Sequence, residues 1–500
     1  MFARGYSYGH AFHAALAGGL SAMKDRPALV AIDLGAESCR VSMLSFHGDA
    51  PRIRIIRRFS NSPIELPTGF HWDLERICRE LEIGLRDCAS LAPEGIASIG
   101  VTGWAVDYVR LDSEGKPIDQ PYCYRDTRNA AAMDALHAIL PPDELYRRTG
   151  VQIQPLNTIY QLYADKLANG STSAWLNLPE YILYWLGAPR IAEYTNATHT
   201  GLIDPSTRNW SDDLFSHLGL NRAAAPEIVA PGTALGPMRN DLAHLPAFAH
   251  TQLIAPACHD TASAVAGIPE EPGDWAYISS GTWSLVGMLL PESHRTAAAF
   301  AGGFTNLGAA GDCVLFHRGL AGMWLLRQCM DTWSHEHAWS VTDLIEEAEK
   351  LPPPDECLDL DDPALIAPGN MPARINTQRA SKGLAPLASG WSAAPLYTHL
   401  IFHSLAQRYR IVLGELERIS GRLPKRICVV GGGSRNAYLN ALTESATGIP
   451  VQRCSVESST TGNLALQWMQ NDSASQSDFC VRLAAYARAL AKIPIESDAS

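Results

Sequence analysis

The sequence contains no CxxC pair, no long run of basic residues and no apolar stretch near the roughly 18 residues that a membrane span requires. Its eleven cysteines, an odd number, match no zinc-site or disulfide spacing, so we expect reduced, buried thiols in a cytoplasmic protein. The formal net charge is -12, and Lys and Arg are not clustered as phosphate-backbone binding requires. These absences argue against nucleic acid and membranes as partners. They do not determine the oligomeric state, and we expect a monomer or a homodimer.

The length of 500 residues, with 46% hydrophobic content, predicts more than one domain at roughly 100–200 residues each. Residues 1–26 make a poor signal peptide, and we expect them to be a disordered extension, with Met23 as an alternative start of translation. We expect one domain over residues 27–255 and a second over residues 256–490.

Hydrophobic periodicity predicts an α/β fold in which a strand hairpin opens each of two units. The first unit has predicted strands at 28–33, 40–46, 52–59, 96–101 and 105–111 and a helix at 73–91, capped by Asp73. A second region of the same kind begins near 252, with predicted strands at 252–256, 275–280, 283–290 and 427–430, a helix over 396–420 and another from Asn436. Seven prolines between 352 and 390 exclude long helices there and predict a loop.

The first chemical motif is Asp33–Leu–Gly35–Ala–Glu–Ser38–Cys–Arg40, which follows the first strand. A carboxylate at the end of a buried strand is costly unless it meets a cation or hydrogen-bond donors. Gly35 permits a tight turn and Ser38 offers a hydroxyl, so the turn can hold the β- and γ-phosphates of a nucleotide while Asp33 binds Mg²⁺ through water. An ordinary hairpin turn is the alternative, because Asp and Gly favour turns in any case.

A second aspartate lies in Cys258–His259–Asp260–Thr261–Ala–Ser263, just after a predicted strand. At a strand end that faces a cleft, Asp260 can accept the proton of an attacking hydroxyl, and His259 can position sugar oxygens. The alternative is that Asp260 only caps the next helix.

Two turns of small residues complete the pattern. The turn Ser279–Ser–Gly–Thr282–Trp–Ser284 lies in the next hairpin and predicts either a phosphate-sized nest or an ordinary tight turn. The three glycines Gly431–Gly432–Gly433 lead from a strand into a helix and allow a nucleotide base or ribose to approach closely. Their spacing is not GxGxxG, which argues against a dinucleotide fold.

The order of these motifs resembles the actin-like (ribonuclease H-like) ATPase superfamily, in which ATP lies in a cleft between two related domains. From about Ala28 to about residue 470 the sequence resembles the FGGY carbohydrate kinases and, within them, the rhamnulokinase branch. The motifs that carry this resemblance are those above together with Gly100–Val–Thr–Gly–Trp104–Ala–Val–Asp107, Tyr124–Arg125–Asp–Thr–Arg128, Asn157–Thr–Ile–Tyr–Gln161, Tyr194–Thr–Asn196–Ala–Thr198 and Glu457–Ser–Ser–Thr–Thr–Gly462–Asn463. The strings HDTASAV and SSGTWS are specific to this branch. Two of the motifs also have purely structural interpretations: a salt-bridged turn at 125–128, and side chains at Asn157, Gln161 and Asn196 that satisfy buried backbone groups.

The resemblance implies a kinase that transfers the γ-phosphoryl group of ATP to a ketose, with a sugar-binding first domain and a nucleotide-binding second domain. L-rhamnulose is the first candidate; L-fuculose, L-ribulose and D-xylulose are alternatives, and a non-catalytic nucleotide-binding paralogue is the rival from another class. The resemblance further implies Asp260 as catalytic base, Asp33 as ligand of Mg²⁺, ATP contacts at Asp33, Ala36, Glu37, Ser38, Cys39, Arg40, Thr282, Arg327 and Gly432, and sugar contacts at Trp104, Ala105, His259, Asp260, Thr261 and Gly319.

The sequence departs from the family pattern at several of these positions. Thr102 stands where the pattern has an acid, Gly103–Trp104–Ala105 replaces Thr–Trp–Gly, Cys39 replaces a glycine, Gly319 replaces a sugar-binding asparagine and Arg327 replaces a nucleotide-contacting glutamine. A hydrogen-bonding side chain lost from a polar pocket can shift specificity by orders of magnitude. The departures therefore bear on the identity of the sugar rather than on the class of enzyme.

Overall fold

The computed structural model describes residues 26–46, 50–170, 173–472 and 478–497. The expected N-terminal extension lies outside the described residues except for Arg26, and so does the alternative start at Met23. Within the described ranges, no helix combines the length and apolar character needed to cross a bilayer.

The strands of the described chain follow one another in this order: β1 (Ala28–Leu34), β2 (Ser38–Ser45), β3 (Arg52–Ser60), β4 (Ile64–Leu66), β5 (Gly69–His71), β6 (Ile96–Gly103), β7 (Tyr108–Leu111), β8 (Ala174–Asn177), β9 (Ile191–Glu193), β10 (Ile203–Asp204), β11 (Asn209–Trp210), β12 (Glu227–Val229), β13 (Thr233–Pro237), β14 (Gln252–Ala255), β15 (Ala276–Ser280), β16 (Trp283–Leu290), β17 (Phe304–Gly308), β18 (Val314–Ala321), β19 (Ile427–Val430), β20 (Val451–Arg453) and β21 (Ile495–Ser497).

The α-helices of the same residues are α1 (Leu74–Leu91), α2 (Arg128–His137), α3 (Pro142–Thr149), α4 (Thr158–Asn169), α5 (Leu178–Trp185), α6 (Tyr194–Ala197), α7 (Asp212–Leu218), α8 (Asp260–Ala266), α9 (Ala297–Ala301), α10 (Trp324–Trp333), α11 (Val341–Ala348), α12 (Met371–Ser381), α13 (Ala394–Ser420), α14 (Ala437–Thr447), α15 (Ser458–Asn471) and α16 (Phe479–Leu490).

Two large sheets built on one plan organise the molecule. The first has the order β13-β14-β6-β1-β2-β3-β21, and the second has the order β17-β18-β16-β15-β19-β20. In each, an antiparallel hairpin (β1–β2, β15–β16) opens the unit, and its first strand also pairs in parallel with a later strand (β6, β19). Beyond that later strand, each sheet has one more parallel strand: β14 beside β6, and β20 beside β19. The prediction of an α/β fold in which a unit that begins with a hairpin occurs twice is confirmed.

Two central helices cross between the sheets. Helix α8 follows β14 of the first sheet, whereas α15 follows β20 of the second and packs back onto the first. Its Gln467 Nε2 donates to the Val30 carbonyl at 2.9 Å. At the crossing, a Cβ on Gly462 would lie 1.8 Å from the Ser263 carbonyl oxygen, so the two helix backbones are in direct contact. The ends of both units are thereby held against each other.

Three predicted elements differ from the structure. The strand predicted at 105–111 is only Tyr108–Leu111, because the preceding residues form a loop in which Val106 has a φ of 73°. The strand at 252–255 pairs with β6 in the first sheet instead of opening the second, because sheet membership depends on non-local pairing that a short apolar run does not specify. The proline-rich segment contains α12, whose Pro372 falls in the first turn, where a missing N–H breaks no helical hydrogen bond. Elsewhere α1, with Asp73 as its N-cap, and the long helix α13 lie where they were predicted.

Candidate active site

The carboxyl ends of the central strands bring the predicted site residues together in a cleft. Gly103 N donates to the Cys258 carbonyl at 2.9 Å, and Trp104 N donates to the Leu34 carbonyl at 3.1 Å. These two hydrogen bonds join the ends of β1 and β6 to the segment that precedes α8. Asp33, Trp104 and Asp260 consequently belong to one local structure, although the first and last are more than 200 positions apart in the chain.

The turn between β1 and β2 depends on its glycine. A Cβ on Gly35 would lie 2.4 Å from the Ser38 carbonyl oxygen, so no other residue fits without moving the backbone. Asn61, which no sequence motif pointed to, braces the turn: its N donates to the Glu37 carbonyl at 2.8 Å and its Nδ2 to the Gly35 carbonyl at 3.1 Å. Cys39 is buried, and burial raises the pKa of its thiol to about 12, so the side chain stays neutral under the turn.

Asp33 is buried at the end of β1 and is held from both units. Ser459, in the first turn of α15, donates its hydroxyl to Asp33 Oδ2 at 2.6 Å. Arg40 Nε lies 3.3 Å from the same oxygen, and its guanidinium also binds Glu457 of the second unit. Glu457 in turn accepts from Arg58 at 2.9 Å. The Asp33 carboxylate is thus the centre of a charged network that crosses between the two sheets.

Asp260 is the first residue of α8, and it is not the helix cap. The N-cap position is taken by His259, which makes no side-chain capping bond, and 38% of the Asp260 side chain is exposed to the cleft. Oδ1 accepts from the Thr261 hydroxyl at 3.3 Å and lies 3.4 Å from His259 Nε2. The low-dielectric surroundings of the cleft and the negative charge of Asp33 raise the pKa of Asp260 to about 7, against hydrogen bonds from Thr261 that lower it. A carboxyl group with a pKa near neutrality is suited to general base catalysis.

On the facing unit, the hydroxyl turn and the glycine turn lie against each other. A Cβ on Gly433 would lie 2.0 Å from Ser280 Oγ, so this glycine makes room for the Ser280 side chain, whereas Gly431 has a φ of +79° and is required by its backbone conformation. Gly432 differs, because nothing lies within 4 Å of where its Cβ would be. The space beside the Gly432 Cα is therefore free of other protein atoms. The carbonyl of Thr282 accepts from Gly322 N and Trp324 N at 3.1 and 3.0 Å, which fixes that turn against the start of α10.

Arg327 and Gly319, at two positions that depart from the family pattern, occupy different surroundings. Arg327, on α10, forms an ion pair with Glu37 across the cleft, with 3.0 Å between Nη1 and Oε2. The structure therefore joins two predicted ATP contacts to each other. Gly319 lies inside β18, paired with Leu285 rather than in a turn, and a Cβ there would touch only the Leu285 side chain at 3.4 Å.

Next to Trp104, the loop contains a buried carboxylate that the sequence analysis did not select as a site residue. Asp107 is fully buried and accepts from Trp72 Nε1 at 2.6 Å, Trp104 Nε1 at 2.9 Å and Gln161 Nε2 at 3.1 Å. Burial nevertheless raises the pKa of Asp107 to about 6. The neighbouring Val106 has a φ of 73°, which is rare for a β-branched residue and is typical of loops constrained at functional sites. The sequence signal for this hydrogen-bonding centre, called the Asp107 hub below, was the motif Trp104–Ala–Val–Asp107.

The polar motifs with a structural alternative are indeed tied into buried networks. Gln161 donates to the carbonyls of Val106 and Leu156 as well as to Asp107. Asn196 Nδ2 donates to Glu180 at 2.8 Å, and Arg128 Nη1 donates to Asp165 at 2.6 Å. These contacts tie the loops that carry these motifs into the buried interior.

The residues present fit a divalent cation that is held mainly by a nucleotide. Among the described residues, no group of three or more His, Cys, Asp or Glu side chains could hold a metal alone. Mg²⁺ usually takes one or two carboxylates together with water and phosphate oxygens. Asp33, a buried carboxylate at the end of β1, would supply such a ligand through water.

Comparison with known proteins agrees with this geometry. The chain matches the FGGY family of carbohydrate kinases, N-terminal domain, over residues 28–267 and the C-terminal domain of the same family over residues 276–470. The chain belongs to the FGGY family of carbohydrate kinases. This FGGY kinase is 34% identical over 455 residues to the rhamnulokinase of Enterococcus faecalis, with 88% of each chain covered. It is 33% identical over 442 residues to that of Bacillus subtilis, covering 87% of this chain and 89% of the relative.

Solved structures show the same two-domain fold for this FGGY kinase. The xylulose kinase of Rhodospirillum rubrum superposes with a TM-score of 0.74 at 17% identity, covering 91% of this chain and 92% of that one. The gluconate kinase of Lactobacillus acidophilus gives 0.73 at 15% identity, with 92% of both chains covered. The protein is therefore a sugar kinase of the actin-like type, with ATP and a small sugar as its substrates.

Proposed function

We propose that this FGGY kinase transfers the γ-phosphoryl group of ATP to the 1-hydroxyl of L-rhamnulose, with Asp260 as the general base. The observation that carries the proposal is the Asp260 carboxylate, which opens onto the cleft at the start of α8 in the electrostatic field of Asp33. The relatives named rhamnulokinase, at 33–34% identity, support the choice of sugar.

The two oxygens of Asp260 have different surroundings, and this suggests the path of the proton. Oδ1 is engaged by Thr261 and faces His259, which leaves Oδ2 for the substrate hydroxyl. As the sugar O–H bond breaks, its proton passes to Asp260. The sugar oxygen bonds to the γ-phosphorus while the bond from that phosphorus to the β-phosphate oxygen breaks, which releases ADP.

The nucleotide side of the site is proposed to be formed by both hairpin turns. Arg40 meets the phosphates from the first unit and Thr282 from the second, and the open Cα of Gly432 leaves room for ribose or base. Asp33 would hold Mg²⁺ through water, and the ion would neutralise charge on the transferring phosphates. The complete set of proposed nucleotide contacts is Asp33, Ala36, Glu37, Ser38, Cys39, Arg40, Thr282, Arg327 and Gly432.

The sugar side is proposed to be formed by Trp104, Ala105, His259, Asp260, Thr261 and Gly319. Of these residues, Trp104 and Ala105 lie in the proposed sugar-binding domain, residues 27–255, and the other four lie in the proposed nucleotide-binding domain, residues 256–490. The Asp107 hub fixes the Trp104 ring and so defines one wall. Ala105 and Gly319 offer no side-chain hydrogen bond, so polar recognition by side chains depends on His259, Asp260 and Thr261.

The substitution Asp260→Asn tests the role of the base. The amide cannot accept the hydroxyl proton, so we expect sugar-dependent ADP release to fall by about 10²–10⁴-fold, the usual contribution of general base catalysis. ATP binding, measured by calorimetry, should persist. Asp212, the first residue of α7 and exposed, is a matched control, and Asp212→Asn should keep full activity. Full activity in Asp260→Asn would refute the mechanism.

A panel of ketoses tests the choice of sugar. In a coupled ADP-release assay, L-rhamnulose should give the highest kcat/KM, ahead of L-fuculose, L-ribulose and D-xylulose. Because Ala105 and Gly319 remove polar groups from the family pocket, a different ranking would show that these departures have changed the substrate.

A further inference from the structure

Asp260 lies at the end of a row of three polar side chains that begins at His199. Nε2 of His199 is 3.2 Å from Nδ1 of His259, and the two rings meet edge to face with their centroids 4.1 Å apart. Nε2 of His259 in turn is 3.4 Å from Oδ1 of Asp260. His199 follows the Tyr194–Thr198 motif and has no part in the transfer described above.

The protonation of this row follows from elementary donor and acceptor counting. Both rings are neutral at physiological pH, because burial lowers the pKa of His199 to about 3 and that of His259 well below its ordinary value. A neutral imidazole has one N–H donor and one bare nitrogen, whereas an ionised carboxylate only accepts. When Asp260 is ionised, as a base must be, the His259 nitrogen that faces it is therefore Nε2–H. Its Nδ1 is then bare, and the facing Nε2 of His199 must carry a proton.

We infer that His199 is a positioning residue of this kinase: its Nε2–H hydrogen bond holds His259 in the tautomer that presents a donor to Asp260. The inference rests on the proposed function of Asp260. In the other tautomer, the bare Nε2 of His259 would face the carboxylate, and the two lone pairs would repel each other. Asp260 would then turn from the hydroxyl that it has to deprotonate.

The surrounding backbone shows that this contact belongs to a rigid unit. His199 lies in a 3-10 turn, Thr198–Thr200, in which the Thr198 hydroxyl donates to the Thr195 carbonyl at 2.7 Å and accepts from Gly308 N at 3.0 Å. The Thr195 hydroxyl accepts from His259 N at 3.4 Å. One short segment therefore holds both the backbone and the ring of His259.

The kinetic test compares His199→Phe with His199→Gln. Phenylalanine keeps a planar ring but cannot donate, so kcat should fall by about 10- to 100-fold, as when the partner behind a functional histidine is lost. KM for ATP should not change, because His199 acts through His259 and Asp260, neither of which is a proposed nucleotide contact. Glutamine supplies an N–H close to the position of His199 Nε2 and should restore most of kcat. If the phenylalanine variant does not fold, His199→Leu removes the same donor.

A spectroscopic test does not depend on activity. Long-range ¹H–¹⁵N spectra of histidine-labelled protein, assigned with His259→Gln, should show the Nε2–H tautomer for His259 in the wild type and its loss in His199→Phe. His399, a buried histidine whose Nδ1 lies 2.8 Å from the Ala348 carbonyl oxygen, is the control, and His399→Phe should change neither the tautomer of His259 nor kcat. An unchanged tautomer and kcat in His199→Phe would overturn the inference. An inactive wild type with the expected tautomer would instead count against the proposed function alone.

Discussion

Asp107 and Asp260 both belong to the candidate site, but their surroundings give the two carboxyl groups different exposure and different hydrogen bonds. Asp107 has no contact with solvent and uses its oxygens to hold two indole N–H groups and one amide. Asp260 keeps part of its surface in the cleft and one oxygen without a protein donor among the described residues. Both have a raised pKa, which identifies a buried carboxylate but does not distinguish a structural from a catalytic one. Exposure and free lone pairs make that distinction.

The raised pKa of Asp260 predicts the pH dependence of the reaction. A base has to be ionised, so kcat/KM at low ATP and low sugar should rise with pH and level off above about 7. The native state holds the Asp260 proton more tightly than the unfolded state does. Ionisation of Asp260 therefore lowers the free energy of unfolding as the pH rises from about 4, the ordinary pKa of an aspartate, to its native pKa of about 7. Asp260→Asn should therefore raise the melting temperature at pH 8 relative to the wild type. A profile that is flat from pH 5 to 9 would contradict this assignment.

At the scale of elements, the crossing of α8 and α15 sets the geometry of the cleft. The N-terminus of α8 carries Asp260, and the first turn of α15 carries Ser459, which binds Asp33. The Ser263 hydroxyl also donates to the Ser459 carbonyl at 2.8 Å. Because both helices meet at Gly462, any change in their separation moves Asp260, the proposed base, relative to Asp33, the proposed metal ligand.

Substitution at this crossing should be severely destabilising. The Cβ of Gly462→Ala would overlap the Ser263 carbonyl, and overpacking of this kind costs about 3 kcal/mol or more when backbone must move. The control is Gly414, exposed in the middle of α13 with nothing within 4 Å of a Cβ. Gly414→Ala should stabilise by about 0.5–1 kcal/mol, since alanine favours helix. Melting temperatures measure both changes; equal effects at the two sites would show that the crossing is more tolerant than its geometry indicates.

At the scale of the whole molecule, strand pairing and ion pairs join the two units in addition to the connecting chain. The chain returns to the first sheet at its end, where β21 pairs in parallel with β3. The network of Asp33, Arg40, Glu457 and Arg58 joins the units through partly buried charges. By contrast, the Glu37–Arg327 ion pair is exposed, with 50% and 60% of its side chains open to solvent. Closure on substrates can exchange this exposed pair for contacts with ATP.

Separating the Glu37–Arg327 pair should affect ATP more than stability. An exposed ion pair contributes about 0–1 kcal/mol, so Glu37→Gln and Arg327→Ala should each melt within a few degrees of the wild type. Arg327→Ala should raise KM for ATP by about 5- to 10-fold through loss of a charged donor. Glu37→Gln should lower it, because a negative charge leaves the phosphate turn and Arg327 is released. A rise in KM in both variants would mean that the pair itself shapes the site.

The sequence by itself determined the strands, the hairpin-first pattern and the turns of the site, because buried runs, glycines and aspartates at strand ends act through local physics. Asp33, His259 and Asp260 were all proposed on these grounds, and the order of the motifs then led to the family resemblance. Only the tertiary structure decided which sheet receives β14, that Ser459 and Glu457 complete the Asp33 site, and that His199 stands behind His259. Those contacts join residues up to 426 positions apart. Such pairing is decided by packing between elements, which no local pattern encodes.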